Sequence, residues 1–185
     1  MTQARTDWIY LDDEIERERL AQAMREIRQQ MRQAAELRSG PQLESAYEAQ
    51  FAGWSIAALL SHLNANDTLG RWQLQAALVG IRPQWDEGKL HRLNRWQQRF
   101  FQRTPLEKTF ARIDAHCRQL CEFIHRLPLK KLSTPVWLVA TQEWSTVERA
   151  AQIFFLHHWQ EHLAQISAPS AAAQPIPPKS TASED

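Results

Sequence analysis

The sequence predicts an all-α protein, a four-helix bundle, and three observations lead there. Apolar residues recur at alternating steps of three and four through four long stretches, the pattern of helices that each bury one stripe. Glycine occurs only 5 times in 185 residues, and runs of β-branched residues are absent. Residues that start and stop helices stand at the ends of the periodic stretches.

Asp12-Asp13-Glu14 puts acidic residues where the dipole of a first helix favours them. That helix runs to about Arg38 on a seam of Leu20, Met24, Ile27, Met31 and Ala34, and Gly40-Pro41 stops it. Ser55 is the expected N-cap of a second helix, with Trp54 ahead of it able to staple onto Leu59. The second helix extends through His62 to about Val79, and Gly80-Ile81-Arg82-Pro83 ends it. Gln84 to Arg103 reads as a long crossover between helices two and three, carrying a short aromatic helix from Leu90 to Phe101. Thr104-Pro105-Leu106-Glu107 has Thr as N-cap, Pro at the first helical position and an acid in the first turn. Helix three follows to Leu127, with Phe110, Ile113, Cys117, Leu120 and Ile124 on its seam. Residues 128–144 read as a loop. Ser145-Thr146-Val147-Glu148 is a second capping box, opening a helix that ends near Ile166.

The expected organisation is a lead over residues 1–11, a bundle over 12–166 and a tail over 167–185. The lead holds a small apolar cluster, Trp8 to Leu11, expected to dock on the body. The tail is rich in Ala, Pro and Ser and is read as disordered.

Lys and Arg number 22 against 21 Asp and Glu, which gives no footprint for nucleic acid or an anionic membrane. No apolar run approaches the ~20 residues of a bilayer span, and no secretory signal is visible at the start. With two cysteines, this fits a cytoplasmic protein. Phosphate loops, nucleophile elbows and zinc-finger spacings are absent.

The chemistry concentrates in the last helix. His158 and His162 stand four apart, one turn above each other, on the walk Ala151, Phe155, His158, His162 and Gln165. One helix can supply two ligands to one ion at this spacing, and neutral imidazole suits Zn, Ni, Cu and Fe. His62 falls on the seam of its own helix and is the candidate third ligand, whereas His157 points about 100° away from His158. Three neutral ligands with open positions describe a catalytic ion; the alternative is core histidines satisfied by polar neighbours. Asn66, Gln165 and Glu148 are candidates to orient the rings. Cys117, Cys121 and His125 also share a helix face, but eight residues of helix rise ~12 Å, too far for one ion. They are read as structural, the cysteines as free thiols, and His91 and His116 as solvated.

On these residues the chain resembles the DinB/YfiT-like superfamily. The resemblance rests on Trp54-Ser55 opening a helix that holds Ser61-His62-Leu63, and on His158-x-x-x-His162 followed by Leu163-x-Gln165-Ile166. It covers about residues 12–166, and Leu93-Asn94 to Pro128 is similar to the ClbS/DfsB-like branch. The resemblance implies a bundle, often dimeric, with one divalent metal (Zn, Ni or Fe) on His62, His158 and His162. It also implies a metal-dependent hydrolase or thiol-dependent S-transferase acting on a small reactive or toxic molecule, with a low-molecular-weight thiol as a possible co-substrate. The competing expectation is a non-catalytic small-ligand-binding or stress-response scaffold.

Overall fold

The computed structural model describes residues 8–41, 53–102 and 104–167. The expected tail beyond Ser167 and most of the expected loop after Pro41 lie outside the described residues. The chain is mostly helical: α1 (Glu14–Leu37), α2 (Ile56–Leu78), α3 (Glu87–Phe101), α4 (Leu106–His125), α5 (Val147–Gln152) and α6 (His158–Ser167). A π-helical turn, Ile153–His157, joins α5 to α6, so these form one winding helix. Two short strands, β1 (Pro135–Leu138) and β2 (Glu143–Thr146), pair antiparallel between α4 and α5.

Local chemistry accounts for most boundaries. Asp13 caps α1 by accepting from the Glu16 N–H at 2.8 Å, and Ser55 caps α2 by accepting from the Ala58 N–H at 3.1 Å. At the far end of α2, Gly80 takes φ 85°, while its N–H reaches Ala77 O and that of Ile81 reaches Ala76 O, both at 2.9 Å. This paired closure needs a left-handed residue, which glycine supplies without a Cβ clash. Two expected caps are corrected. Pro105, not Thr104, precedes α4, and no side chain caps it. Thr146, not Ser145, caps α5 by accepting from the Arg149 N–H at 3.3 Å. Glu148 does not close a capping box there; its Oε1 accepts from the Leu11 N–H at 2.7 Å.

The expected loop over 128–144 is likewise corrected. Val136 and Leu138 turn into the core while Trp137 meets Trp144 across the ladder at 5.3 Å. Strands of four residues are too short for a period of two to stand out in sequence. The crossover helix is also longer than expected, because Asp86 caps it from three residues ahead of Lys89.

The helix α1 packs against α4, α6 and the π turn, while α2 packs against α3, α4, α5 and the π turn. Leu20, Met24, Met31, Leu60, Leu63, Leu74, Leu120, Phe155 and Trp159 are fully buried between them. The apolar lead docks on α5 as expected. Gln152 brackets Ile9, accepting its N–H at 2.9 Å and donating to its carbonyl at 2.8 Å, and Arg17 Nε donates to Leu11 O at 3.0 Å.

Candidate metal centre

His62 lies two turns into α2, a helix started by the Ser55 cap and buried over nearly all of its first half. His158 and His162 lie one turn apart on α6. Their rings converge: centroids are 5.5 Å apart for His62 and His158, 5.9 Å for His62 and His162, and 4.9 Å for His158 and His162. One nitrogen from each can be chosen so that all three lie within 4.8 Å of one another, close enough to bind one metal ion. The sequence therefore picked the three histidines that the fold brings together.

Their setting differs from the expected seam. The core line of the last helix is Val147, Ala151, Phe155, Trp159 and Ile166. His158 and His162 flank that line, half-buried, and face a cavity of 860 Å³. The shift is physical: a π turn takes about one extra residue, so Phe155 and Trp159, four apart, stay on one line through it. The face beside them is left for the histidines. A ligand set on a cavity wall keeps open coordination positions, which a buried seam would not.

The rings are oriented by amides. His62 Nδ1 is 2.7 Å from Gln97 Oε1, and His162 Nδ1 is 2.8 Å from Gln165 Oε1. An amide oxygen only accepts, so Nδ1 carries the proton in both rings and Nε2 keeps its lone pair. Neutral imidazole presenting one lone pair, with the other nitrogen donated outward, is the arrangement that suits a metal ligand. Asn66 Nδ2 donates to His62 Nε2 at 3.0 Å and occupies the lone pair that an ion would take.

Burial sets the charge state. It pushes His62 down to about 4, with the Gln97 bond pulling back and His162 adding to the fall. Burial also pushes His158 down to about 3, helped by His162 and then His62. His162 is lowered too, chiefly by burial, against the bond to Gln165. All three are therefore neutral near pH 7 and need no deprotonation to bind a cation. Donor type and charge state of all three, and the tautomers of His62 and His162, fit a metal cation.

Of the three residues expected to orient the rings, Gln165 is in place, and Asn66 meets His62 at Nε2, the nitrogen left with a lone pair. Glu148 is spent on the Leu11 N–H. The residue that sequence reasoning missed is Gln97, which is buried on α3. Its signal was the inward-facing spacing Leu90, Asn94, Gln97 and Phe101 within what read as a connecting segment.

The remaining candidates fall outside the site. His157 stacks edge-on with Trp8 at 5.3 Å and bonds Gln160 through Nδ1 at 3.0 Å. His125 pairs with Glu18 at 3.1 Å, and His91 is exposed. His116 corrects the solvated expectation: it is half-buried and bonded to Asn64 Oδ1 at 3.1 Å, with burial lowering its pKa. Cys117 and Cys121 are free, buried thiols, as expected. Hydrogen bonding between them raises Cys117 and lowers Cys121 to about 6, Arg25 adding to the latter.

The chain matches no family model, no curated protein and no solved structure. No described helix is long and apolar enough to cross a membrane.

Proposed function

We propose that the protein is a metal-dependent enzyme of the DinB/YfiT-like kind, a four-helix bundle with a long crossover between its second and third long helices. It holds one divalent ion, Zn, Ni or Fe, on His62, His158 and His162 and acts on a small reactive or toxic molecule in the cytoplasm. The observation that carries the reading is the convergence of three neutral imidazoles, with ligand atoms within 4.8 Å, on the wall of a cavity. The ion supplies a Lewis acid that polarises a substrate or lowers the pKa of a bound water or thiol. The reaction is then a hydrolysis or the transfer of a group to a low-molecular-weight thiol. Gln97 and Gln165 hold His62 and His162 in the tautomer that leaves Nε2 free to ligate. Glu161, the one carboxylate among the described lining residues, is the group available to accept a proton. The protein works as a homodimer, joined through the exposed aromatic face of α3, where Trp96 and Phe100 stack at 5.0 Å. Light scattering showing only monomer at tens of micromolar (a range in which moderate interfaces associate) would contradict the dimer.

The richness of the cavity in tryptophan (Trp8, Trp54 and Trp85) favours a second reading, a non-catalytic protein that binds a small apolar ligand. Purification without a histidine tag separates the two. The enzyme reading expects one equivalent of metal or a melting temperature that rises with added Zn or Ni, followed by metal-dependent turnover in hydrolase and thiol-transferase screens. A metal-free protein whose melting temperature ignores both ions would favour the second.

A further inference from the structure

Glu161 is the only charged side chain among the described lining residues of the cavity, and lysine and arginine are absent from them. No described residue gives Glu161 an ion pair. It also stands outside the ligand cluster, since the groups close enough to share one ion are the three histidines alone among the described residues. Its side chain is exposed, so a solute entering the cavity can reach it. The wall around it is aromatic. His157, one helical turn earlier on the same wall, packs edge-on with Trp8 at 5.3 Å, and Trp54, Trp85 and Phe154 line the same space. Arg149 lies over the Trp8 ring at 5.4 Å but is not among the lining residues.

We propose that the cavity takes an apolar molecule bearing a protonated amine, with the ammonium against the Glu161 carboxylate and the apolar body along the aromatic wall. A carboxylate without a cation of its own offers an ammonium a charge-assisted hydrogen bond, which a neutral or anionic group does not receive. Ring faces add to this, because they attract a cation and pack against the hydrocarbon beside it. The three site imidazoles are neutral near pH 7, so the chain itself sets no positive charge against the amine. One carboxylate oxygen holds the ammonium while the other stays available as the proton acceptor. The proposal rests on the enzyme reading only for calling the amine a substrate; binding requires the walls alone.

The test is calorimetric titration of the full chain at pH 7, as purified and after EDTA treatment, with naphthylmethylamine, naphthylmethanol and naphthoate. The three share one apolar body and differ in charge, and the amine is protonated at this pH. In the EDTA-treated form the amine is expected to bind about tenfold more tightly than the alcohol, the effect of one charge-assisted hydrogen bond at an exposed carboxylate. Naphthoate should bind weakest there. A bound ion adds positive charge at the histidines, so the preference for the amine should be smaller in protein that retains metal. Glu161→Gln should abolish the preference and leave the affinity for the alcohol unchanged. Equal affinity for amine and alcohol after EDTA, tighter binding of naphthoate in that form, binding of no compound, or a preference that survives Glu161→Gln would each overturn the proposal. A protein that holds no metal yet shows the preference would refute the metal centre alone, and one that holds metal but shows no preference after EDTA would refute the amine site alone.

Discussion

At the scale of residues, the site depends on side chains that never touch an ion. Gln97 is the clearest, since its Oε1 accepts from His62 Nδ1 at 2.7 Å inside the protein. Gln97→Leu should keep the fold, because leucine fills similar space, while freeing the ring of His62 to turn and change tautomer. Metal affinity should fall about 10- to 100-fold, the usual effect of losing a group that orients a ligand. Competition against a chromophoric chelator measures it, and an unchanged affinity would show that Gln97 is merely buried. The three histidines themselves were legible in sequence because an i,i+4 pair and a lone inward histidine need only helical periodicity. Gln97 was not, because a glutamine on a short helix carries no sign of its partner until the chain folds α3 against α2. Glu148 was chosen wrongly for a related reason: its partner is the Leu11 amide, which lies 137 positions away in sequence.

At the scale of elements, the π turn decides where the histidines face, and Arg28 of α1 supports it. Arg28 Nη1 donates to the Phe155 carbonyl, within the turn, at 3.0 Å, and Nη2 pairs with Asp67 Oδ2 at 2.6 Å. Asp67 Oδ1 in turn accepts from Trp159 Nε1 at 3.0 Å, and the guanidinium lies 4.4 Å over the Trp159 ring. This one buried network ties α1, α2, the π turn and α6 together. Glycine at position 70 of α2 serves the same contact, since an added Cβ would come within 2.8 Å of the Phe154 ring. Arg28→Met leaves Asp67 buried without its cation, which should cost about 3 kcal/mol or more. It should also weaken metal binding, because the turn that rotates His158 and His162 loses its carbonyl partner. Urea unfolding and the chelator competition read the two effects, and a variant of wild-type stability would contradict the role given to the network. Four long helices and the Ser55 cap were legible because capping and periodicity are local; the caps of α4 and α5 were each misplaced by one residue. The π turn and the hairpin were not: the first is imposed by packing against Arg28 and Gly70, and the second is too short to display a period.

At the scale of the whole molecule, the buried ionisable groups predict how stability follows pH. In the metal-free protein His62 and His158 titrate at about 4 and about 3 when folded, against 6.5 when unfolded. The unfolded chain therefore binds protons first, and stability is lost as pH falls below 6.5. Asp67 opposes this. Burial, outweighing Arg28 and Trp159, lifts it to about 6 from 3.8, so the folded state gains relative stability as pH falls through about 6. At pH 5 each of these two imidazoles costs about 2 kcal/mol and the carboxyl returns about 1 kcal/mol, so the balance is destabilising. Melting temperatures of EDTA-treated protein should drop between pH 7 and pH 5, and His158→Leu should flatten the drop. A melting temperature that holds or rises over that interval would mean the histidines are not buried as neutral rings. A bound metal should deepen the dependence, since protons then compete with the ion for the same three nitrogens.

The measurement that bears most directly on the central claim is the metal content of tag-free protein in three forms: wild type, His158→Ala and His157→Ala. The two histidines are neighbours in sequence but face differently: His158 turns toward His62 and His162, while His157 turns toward Trp8 and Gln160. The account predicts about one equivalent of divalent ion in the wild type and in His157→Ala, and loss of most of it in His158→Ala, because two imidazoles hold such an ion poorly against water. Metal retained by His158→Ala, or lost from His157→Ala alone, would contradict it.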